Sequence, residues 1–337
     1  MYLAKLFDRF LEIKAKKNFQ VVDVHVHPLD VLGTKVIQRK TLYKRDPSLL
    51  ERFEYNAPSL SILKMLFFAF PSYIKREINK KFTNYNIEIL EREMQFAGID
   101  RSVLMPVEPL VSTEQVATNF SSRSCSFAGS IDLRRIELDK IEQNIDLQIR
   151  KFGIIGFKLH PNIQEFYPQP AMNDKETGLK LERLYEILEA RKIFLLFHGG
   201  ISYMLDGKVR REFANLKNFC SADGNSEVFK YKIPIIIAHF GNYNIARPNF
   251  DYIKYIAGRF PNVFFDTSGI SPRIVAKGIE VVGIKKVLFG SDAPYFNMKY
   301  GLALVLKALL MTNIKEDYDE RVSSVLGLNF KEGIKFS

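Results

Sequence analysis

A (β/α)₈ TIM barrel is the fold this sequence predicts, with an extra N-terminal helix and a helical segment inserted after the first strand. Three observations point to it. Eight short apolar runs, rich in β-branched or aromatic residues, are spread along the chain. Helical patterns separate them, and repeated strand–helix alternation builds a parallel sheet. The chain's 337 residues suit one such barrel, which takes roughly 250 residues plus insertions. A doubly wound open sheet is the competing architecture. The number of strands and the placement of the polar residues at their ends favour the barrel.

The chain opens with a basic amphipathic helix over 1–18. Leu3, Leu6, Phe7, Phe10, Leu11 and Ile13 recur at helical spacing, and Lys5, Asp8, Arg9 and Glu12 break up the apolar core an export signal would need. Such a helix could touch a membrane surface or a partner; packing against the body of the protein is the expectation. The strands follow as VVDVHVH (from Val21), SVLMPV (from Ser102), SFAGSI (from Ser126), IIGFKLH (from Ile154), IFLLFH (from Ile193), PIIIAHF (from Pro234), VFFDTS (from Val263) and KVLFGSD (from Lys286). Most are near-continuously hydrophobic, as parallel strands covered on both faces are.

Between them, 86–97 carries Ile87, Leu90, Met94 and Ala97 at helical spacing, with Gly98 as a stop. The 137–152 segment ends at Gly153, 177–191 carries Leu181, Leu184, Tyr185 and Leu188, and 250–260 ends at Pro261. Ser271 and Pro272 read as an N-cap and a first-turn proline. Two connections exceed a plain βα loop. One is 199–231. The other is 29–85, which contains PSLSILKMLFFAF and reads as an insertion over the barrel mouth, either a lid or an ordinary packing helix. No repeat or linker interrupts the chain, so 1–337 reads as a single domain.

Lys and Arg number 49 against 38 Asp and Glu, a net charge of +11. That balance favours anionic partners, but the cations are scattered rather than clustered with aromatics, so nucleic acid is not the expected partner. The longest charge-free stretch, 233–246, is too short for a membrane span, which needs about 20 apolar residues. Cys125 and Cys220 are too few for a disulfide framework, and a reducing cytoplasm is the simplest location.

The five histidines, His25, His27, His160, His198 and His239, each lie at or beside the carboxyl end of a predicted strand. In a barrel these ends converge on one mouth, where active sites form. His25 and His27 are two apart on a strand and share a face. An H-x-H pair alone is as well explained by hydrogen-bonded polar residues at a strand end. Joined by His198, His239 and Asp292, it offers imidazoles and a carboxylate, donors suited to Zn²⁺ or a similar first-row divalent ion. Lys158 and His160 also share a face. Lys158 and His160 read as substrate-binding or second-metal residues; the competing readings are an ion pair with a mouth acid for Lys158 and a strand cap for His160. Asp266 and Ser268 could brace the rim or meet substrate, Arg273 could bind a carboxylate, and Asp23 could brace an imidazole from behind.

VDVHVHP, GFKLHP, LLFHGG, IIIAHFG and VLFGSDAPY, in that order, resemble the amidohydrolase superfamily, and more narrowly its amidohydrolase-related branch of metal-dependent barrel hydrolases and decarboxylases. The resemblance covers about 21–310. It implies that His25 and His27 are the first-strand metal pair, that His198 is the fifth-strand ligand, and that Asp292 contacts the metal and shuttles a proton. His239 would help by holding the reactive water. One metal is favoured over a binuclear centre bridged by a carboxylated Lys158. A divalent ion lowers the pKa of bound water from 15.7 to about 7, and a neighbouring Asp or His can take that proton.

The resemblance therefore implies a metal-dependent hydrolase acting on a small-molecule amide, ester or lactone. The alternative is a non-oxidative decarboxylase of an aromatic or unsaturated acid, which a substrate-binding Arg39, Arg45 or Arg52 from the insertion would favour. A nuclease on the same barrel would carry an acid on the fourth strand, where this chain has K-L-H. A scaffold without catalysis has no need of the metal residues. Dimers are common among such proteins, so a homodimer is one expectation.

Overall fold

The computed structural model describes residues 2–31, 70–83, 85–203, 210–220, 224–245 and 247–334. Eight parallel strands stand in the ring order β1 (Val22–Val26), β2 (Arg101–Leu104), β3 (Cys125–Gly129), β4 (Gly156–Leu159), β5 (Phe194–Phe197), β8 (Ile235–Ile237), β9 (Val263–Asp266) and β10 (Val287–Leu288). A two-stranded hairpin, β6 (Ser202–Tyr203) and β7 (Arg210–Arg211), lies in the long connection after β5. The ring closes through main-chain bonds: Val24 N donates to Phe289 O at 2.9 Å, Asp292 N to His25 O at 2.9 Å and His27 N to Ala293 O at 2.8 Å. All eight predicted strands are present. Their apolar runs reflect burial on both faces, outward against helices and inward within the barrel.

Val24, Met105, Phe194, Leu196, Ile236 and Leu288, from different strands, pack together as the barrel's filling. Phe330 and Ile334 join the same cluster, so the C-terminal helix Asn329–Gly333 covers the end opposite the strand C-termini. Pairing between β1 and β2 shifts register between Asp23 and Val26. Such a bulge re-aims side chains, often beside active sites. Here it falls where the strand switches from hydrophobic filling to the two histidines.

The helices begin and end where the sequence marks them. Asn86 caps Ile87–Ala97 by accepting from Ile89 N, and Gly98 closes it in the left-handed region at φ 69°. Ser271 caps Pro272–Val282. The N-terminal helix, Tyr2–Lys17, buries Leu6, Phe10 and Ile13. Lys14 ties it to the barrel by donating to Gly98 O at 2.9 Å and Asp100 Oδ1 at 2.8 Å. It packs on helices Met298–Met311 and Tyr318–Ser323, as the expectation of packing on the body required. Among the described residues no helix is long and apolar enough to cross a membrane.

Of the 29–85 insertion, 32–69 lies outside the described residues, with Arg39, Arg45, Arg52 and nearly all of PSLSILKMLFFAF. Its last part is the helix Pro71–Phe82. That helix packs Phe82 on the Tyr295 ring at 5.0 Å and sends the buried Lys81 Nζ to Tyr295 O at 2.6 Å. At the other end, Tyr295 Oη donates to Asp30 Oδ1 at 2.7 Å and accepts from Val31 N at 2.9 Å. Both described ends of the insertion therefore fasten to one tyrosine, three residues beyond Asp292.

Candidate metal centre

The strand ends bring all five histidines and Asp292 into one buried site. The His25 ring lies 4.9 Å from His27 and 5.2 Å from His239, and His198 lies 4.9 Å from His239 and 4.0 Å from His160. Burial is the main cause that pushes every imidazole below its ordinary pKa, His239 to about 3. Neutral imidazole is the form that ligates metals.

His27 Nδ1 faces Met105 O at 2.9 Å and must carry the hydrogen, because a carbonyl only accepts. His25 Nδ1 likewise donates to the Asp266 carboxylate, Oδ2, at 2.8 Å. The unprotonated Nε2 atoms of the two rings therefore point at each other, 3.0 Å apart. Two lone pairs repel at that distance unless a cation serves both. In this structure the Lys158 Nζ lies 3.1 Å from His25 Nε2. Two imidazole nitrogens on one ion at about 2.1 Å would be roughly 3.0–3.4 Å apart, so the pair fits a divalent metal.

Asp292 Oδ1 lies 4.0 Å from His25 Nε2. Ligating atoms of His25, His27 and Asp292 all fall within 4.8 Å of one another. A second group, His25, His239 and Asp266, meets the same criterion, but Asp266 is already saturated. Its Oδ2 holds His25, and its Oδ1 accepts from His239 N at 2.8 Å, Ser268 N at 3.0 Å and Ser268 Oγ at 2.5 Å. Asp266 braces the site, and the first group is the better metal cradle. His198 falls outside both groups.

Backbone strain marks the same positions. Asp292, His239 and Phe240 occupy the left-handed region at φ 63°, 58° and 50°, a cost usually kept where function requires it. Burial raises the Asp292 carboxyl well above the carboxylate range, with Lys158 opposing, and burial lowers Lys158, with Asp266 and Asp292 opposing. Gly290 leaves room for His25. A Cβ there would sit 2.9 Å from His25 Cβ and 3.3 Å from Asp266 Cγ. Gly290→Ala should therefore cost about 1–3 kcal/mol of stability through overpacking, read as a lowered melting temperature; an unchanged melt would contradict this packing.

The other candidates fall to separate roles. His160 Nδ1 accepts from Ile163 N at 3.2 Å and caps the short helix Pro161–Gln164, which is the strand-end reading. His239 Nδ1 donates to Ser268 O at 2.9 Å. Arg273 is exposed. Asp266, not Asp23, grips the His25 ring; Asp23 Oδ1 instead accepts from the main-chain amides of His25 at 3.1 Å and Ser291 at 3.0 Å. Tyr243, 4.7 Å from His239, and Tyr295, 6.3 Å from His27, wall the site with rings that the sequence reading did not single out. Their only signal was adjacency, in HFGNY and GSDAPY.

Burial pushes the Asp23 carboxyl up to about 7. Folded Asp23 keeps a proton that the unfolded chain releases near pH 4. Its contribution to stability is thus full below about pH 4 and is lost as pH rises to about 7. In metal-free protein, Asp23→Asn keeps an acceptor oxygen but cannot titrate, so its melting temperature should rise relative to that of wild type as pH goes from about 4 to about 7. A constant difference between the two proteins across that window would refute the assignment.

The amidohydrolase family model matches residues 22–321. The chain belongs to the amidohydrolase family. The resemblance read from its strand-end motifs therefore holds. No curated protein matches this amidohydrolase in sequence. Among solved structures, it is similar to a dihydroxybenzoic acid decarboxylase from Polaromonas sp. JS666, bound to manganese and 2-nitroresorcinol (14% identity, 94% of this chain and 97% of that one, TM-score 0.56). It is similar to 5-carboxyvanillate decarboxylase from Sphingomonas paucimobilis (15% identity, 95% and 100%, TM-score 0.51). It is also similar to a probable 2-pyrone-4,6-dicarboxylic acid hydrolase from Acinetobacter baumannii with citric acid bound (11% identity, 94% and 100%, TM-score 0.51). At these identities the likeness establishes the shared barrel.

Proposed function

We propose that this amidohydrolase removes CO₂ non-oxidatively from a small aromatic carboxylic acid, with a divalent metal, Zn²⁺ or Mn²⁺, held by His25, His27 and Asp292. The observation that carries this reading is a buried carboxyl, Asp292, 4.0 Å from His25 Nε2 in a site walled by Tyr243 and Tyr295. A bound divalent ion would anchor anionic oxygens of the substrate and offset negative charge as the carboxylate carbon leaves. The departing CO₂ leaves an electron pair on the ring carbon, and Asp292 can deliver the proton that quenches it. The tyrosine rings suit a flat substrate. Lys158 balances the charge of Asp266 and Asp292. Two of the three similar structures above bear the names of aromatic-acid decarboxylases.

Hydrolysis of a lactone is the second reading, favoured by the pyrone hydrolase among the similar structures. Asp292 would then accept a proton from water, with His239 beside it. The two are separated by offering the metal-loaded enzyme hydroxylated benzoic acids and lactones while following CO₂. Release of CO₂ without an added oxidant supports decarboxylation. Ring opening without CO₂ supports the hydrolase, and inertness toward both panels counts against both readings.

A further inference from the structure

We propose that Lys81, near the end of the insertion, is a positioning residue that holds the turn after β10 in the shape that presents the Asp292 carboxylate to the metal. The inference rests on the metal reading above. It begins from a buried charge outside the strand-end motifs. Lys81 is 0% exposed, whereas its neighbour Lys80 on the same helix, Pro71–Phe82, is exposed. Taking an ammonium out of water is costly and is kept where the cation meets strong acceptors. Lys81 Nζ meets the main-chain oxygen of Tyr295 at 2.6 Å. An ammonium only donates and a carbonyl only accepts, so the direction of this bond is fixed.

That carbonyl belongs to the turn that carries Asp292. Asp292 sits in the left-handed region at φ 63°, a conformation disfavoured for residues with a Cβ. It persists where surrounding contacts over-determine it. The first half of the turn is tied to β1: Asp292 N donates to His25 O at 2.9 Å, and His27 N donates to Ala293 O at 2.8 Å. Within the turn, Phe296 N donates to Asp292 O at 3.2 Å. Lys81 ties the second half from a different element.

The Tyr295 side chain is anchored separately. Its hydroxyl is held by Asp30 and Val31, and its ring packs on Phe82. Replacing Lys81 therefore leaves the ring its anchors and takes the ammonium from the carbonyl. The turn that delivers Asp292 is thus clamped on one side by the strand bearing His25 and His27, and on the other by the insertion helix.

The test is titration of Zn²⁺ into metal-free protein, with the melting temperature of each variant measured beside it. Lys81→Met has no donor, and the Lys81→Gln amide is too short to span the same distance. Each should bind zinc about tenfold more weakly, the scale of loss when a group supporting a metal ligand is removed. Lys81→Arg keeps a charged donor and should recover most of that loss. In an Asp292→Asn background, where the carboxylate is gone, Lys81→Met should change affinity by no more than about twofold. Wild-type affinity in Lys81→Met overturns the proposal. So does an equal loss with and without the Asp292 carboxylate, which would mark a general weakening of the fold. Failure of both Lys81→Met and Lys81→Gln to fold also overturns it, because a positioning role leaves the barrel standing. Failure of the wild-type protein to take up zinc or manganese at all is a separate result, and it overturns the metal reading itself.

Discussion

His25→Ala is expected to lose stoichiometric metal and, with it, turnover. His25 is the hub of the site. Its Nε2 faces His27 Nε2 at 3.0 Å and Lys158 Nζ at 3.1 Å, and its Nδ1 is held by Asp266 at 2.8 Å. Removing an outer partner of a metal ligand typically costs about 10–100-fold in affinity, and removing the ligand should cost more. Elemental analysis with chelator competition reads the effect. The variant also removes one buried partner each from Lys158 and Asp266, so its melting temperature should be measured alongside. A folded variant that retains full metal content would contradict the ligand assignment.

Asp292→Asn should separate chemistry from architecture. Asparagine has the same shape and tolerates the left-handed backbone that Asp292 adopts at φ 63°. The main-chain bonds from Asp292 N to His25 O and from Phe296 N to Asp292 O remain available. What disappears is the group that can carry a proton beside His25, together with an anionic ligand of the proposed metal, so metal content is measured beside turnover. Proton transfer by a positioned side chain is worth roughly 10²–10⁴ in rate, so turnover should fall by that factor while the melting temperature stays near wild type. Activity within about threefold of wild type would remove Asp292 from the proton-transfer role.

The strands were legible because burial on both faces leaves near-continuous apolar runs, and those runs carried the histidines at their ends. Helices with one wet face, such as Ile87–Ala97, were legible from their period and caps. Met298–Met311 was not read. It buries Gly301, Leu302, Val305, Leu306, Ala308 and Leu309 against several neighbours, so little polar period remains. At the site, His25, His27 and Asp292 were placed together by their positions at converging strand ends and by motif order. The bracing was harder to see. Asp23 stands two residues before His25, yet the register shift in β1 and the long-range approach of Asp266 give the ring to Asp266. Tyr295 owes its place to an insertion end that reaches the site only in three dimensions.

The central claim is that His25, His27 and Asp292 share one divalent cation at the barrel mouth. Crystals of protein loaded with Zn²⁺, measured at the zinc absorption edge, test it most directly. An anomalous peak at about 2.0–2.1 Å from both His25 Nε2 and His27 Nε2, within reach of Asp292, is the predicted result. Fully loaded crystals with no peak between those two rings, or with zinc bound elsewhere, would contradict it.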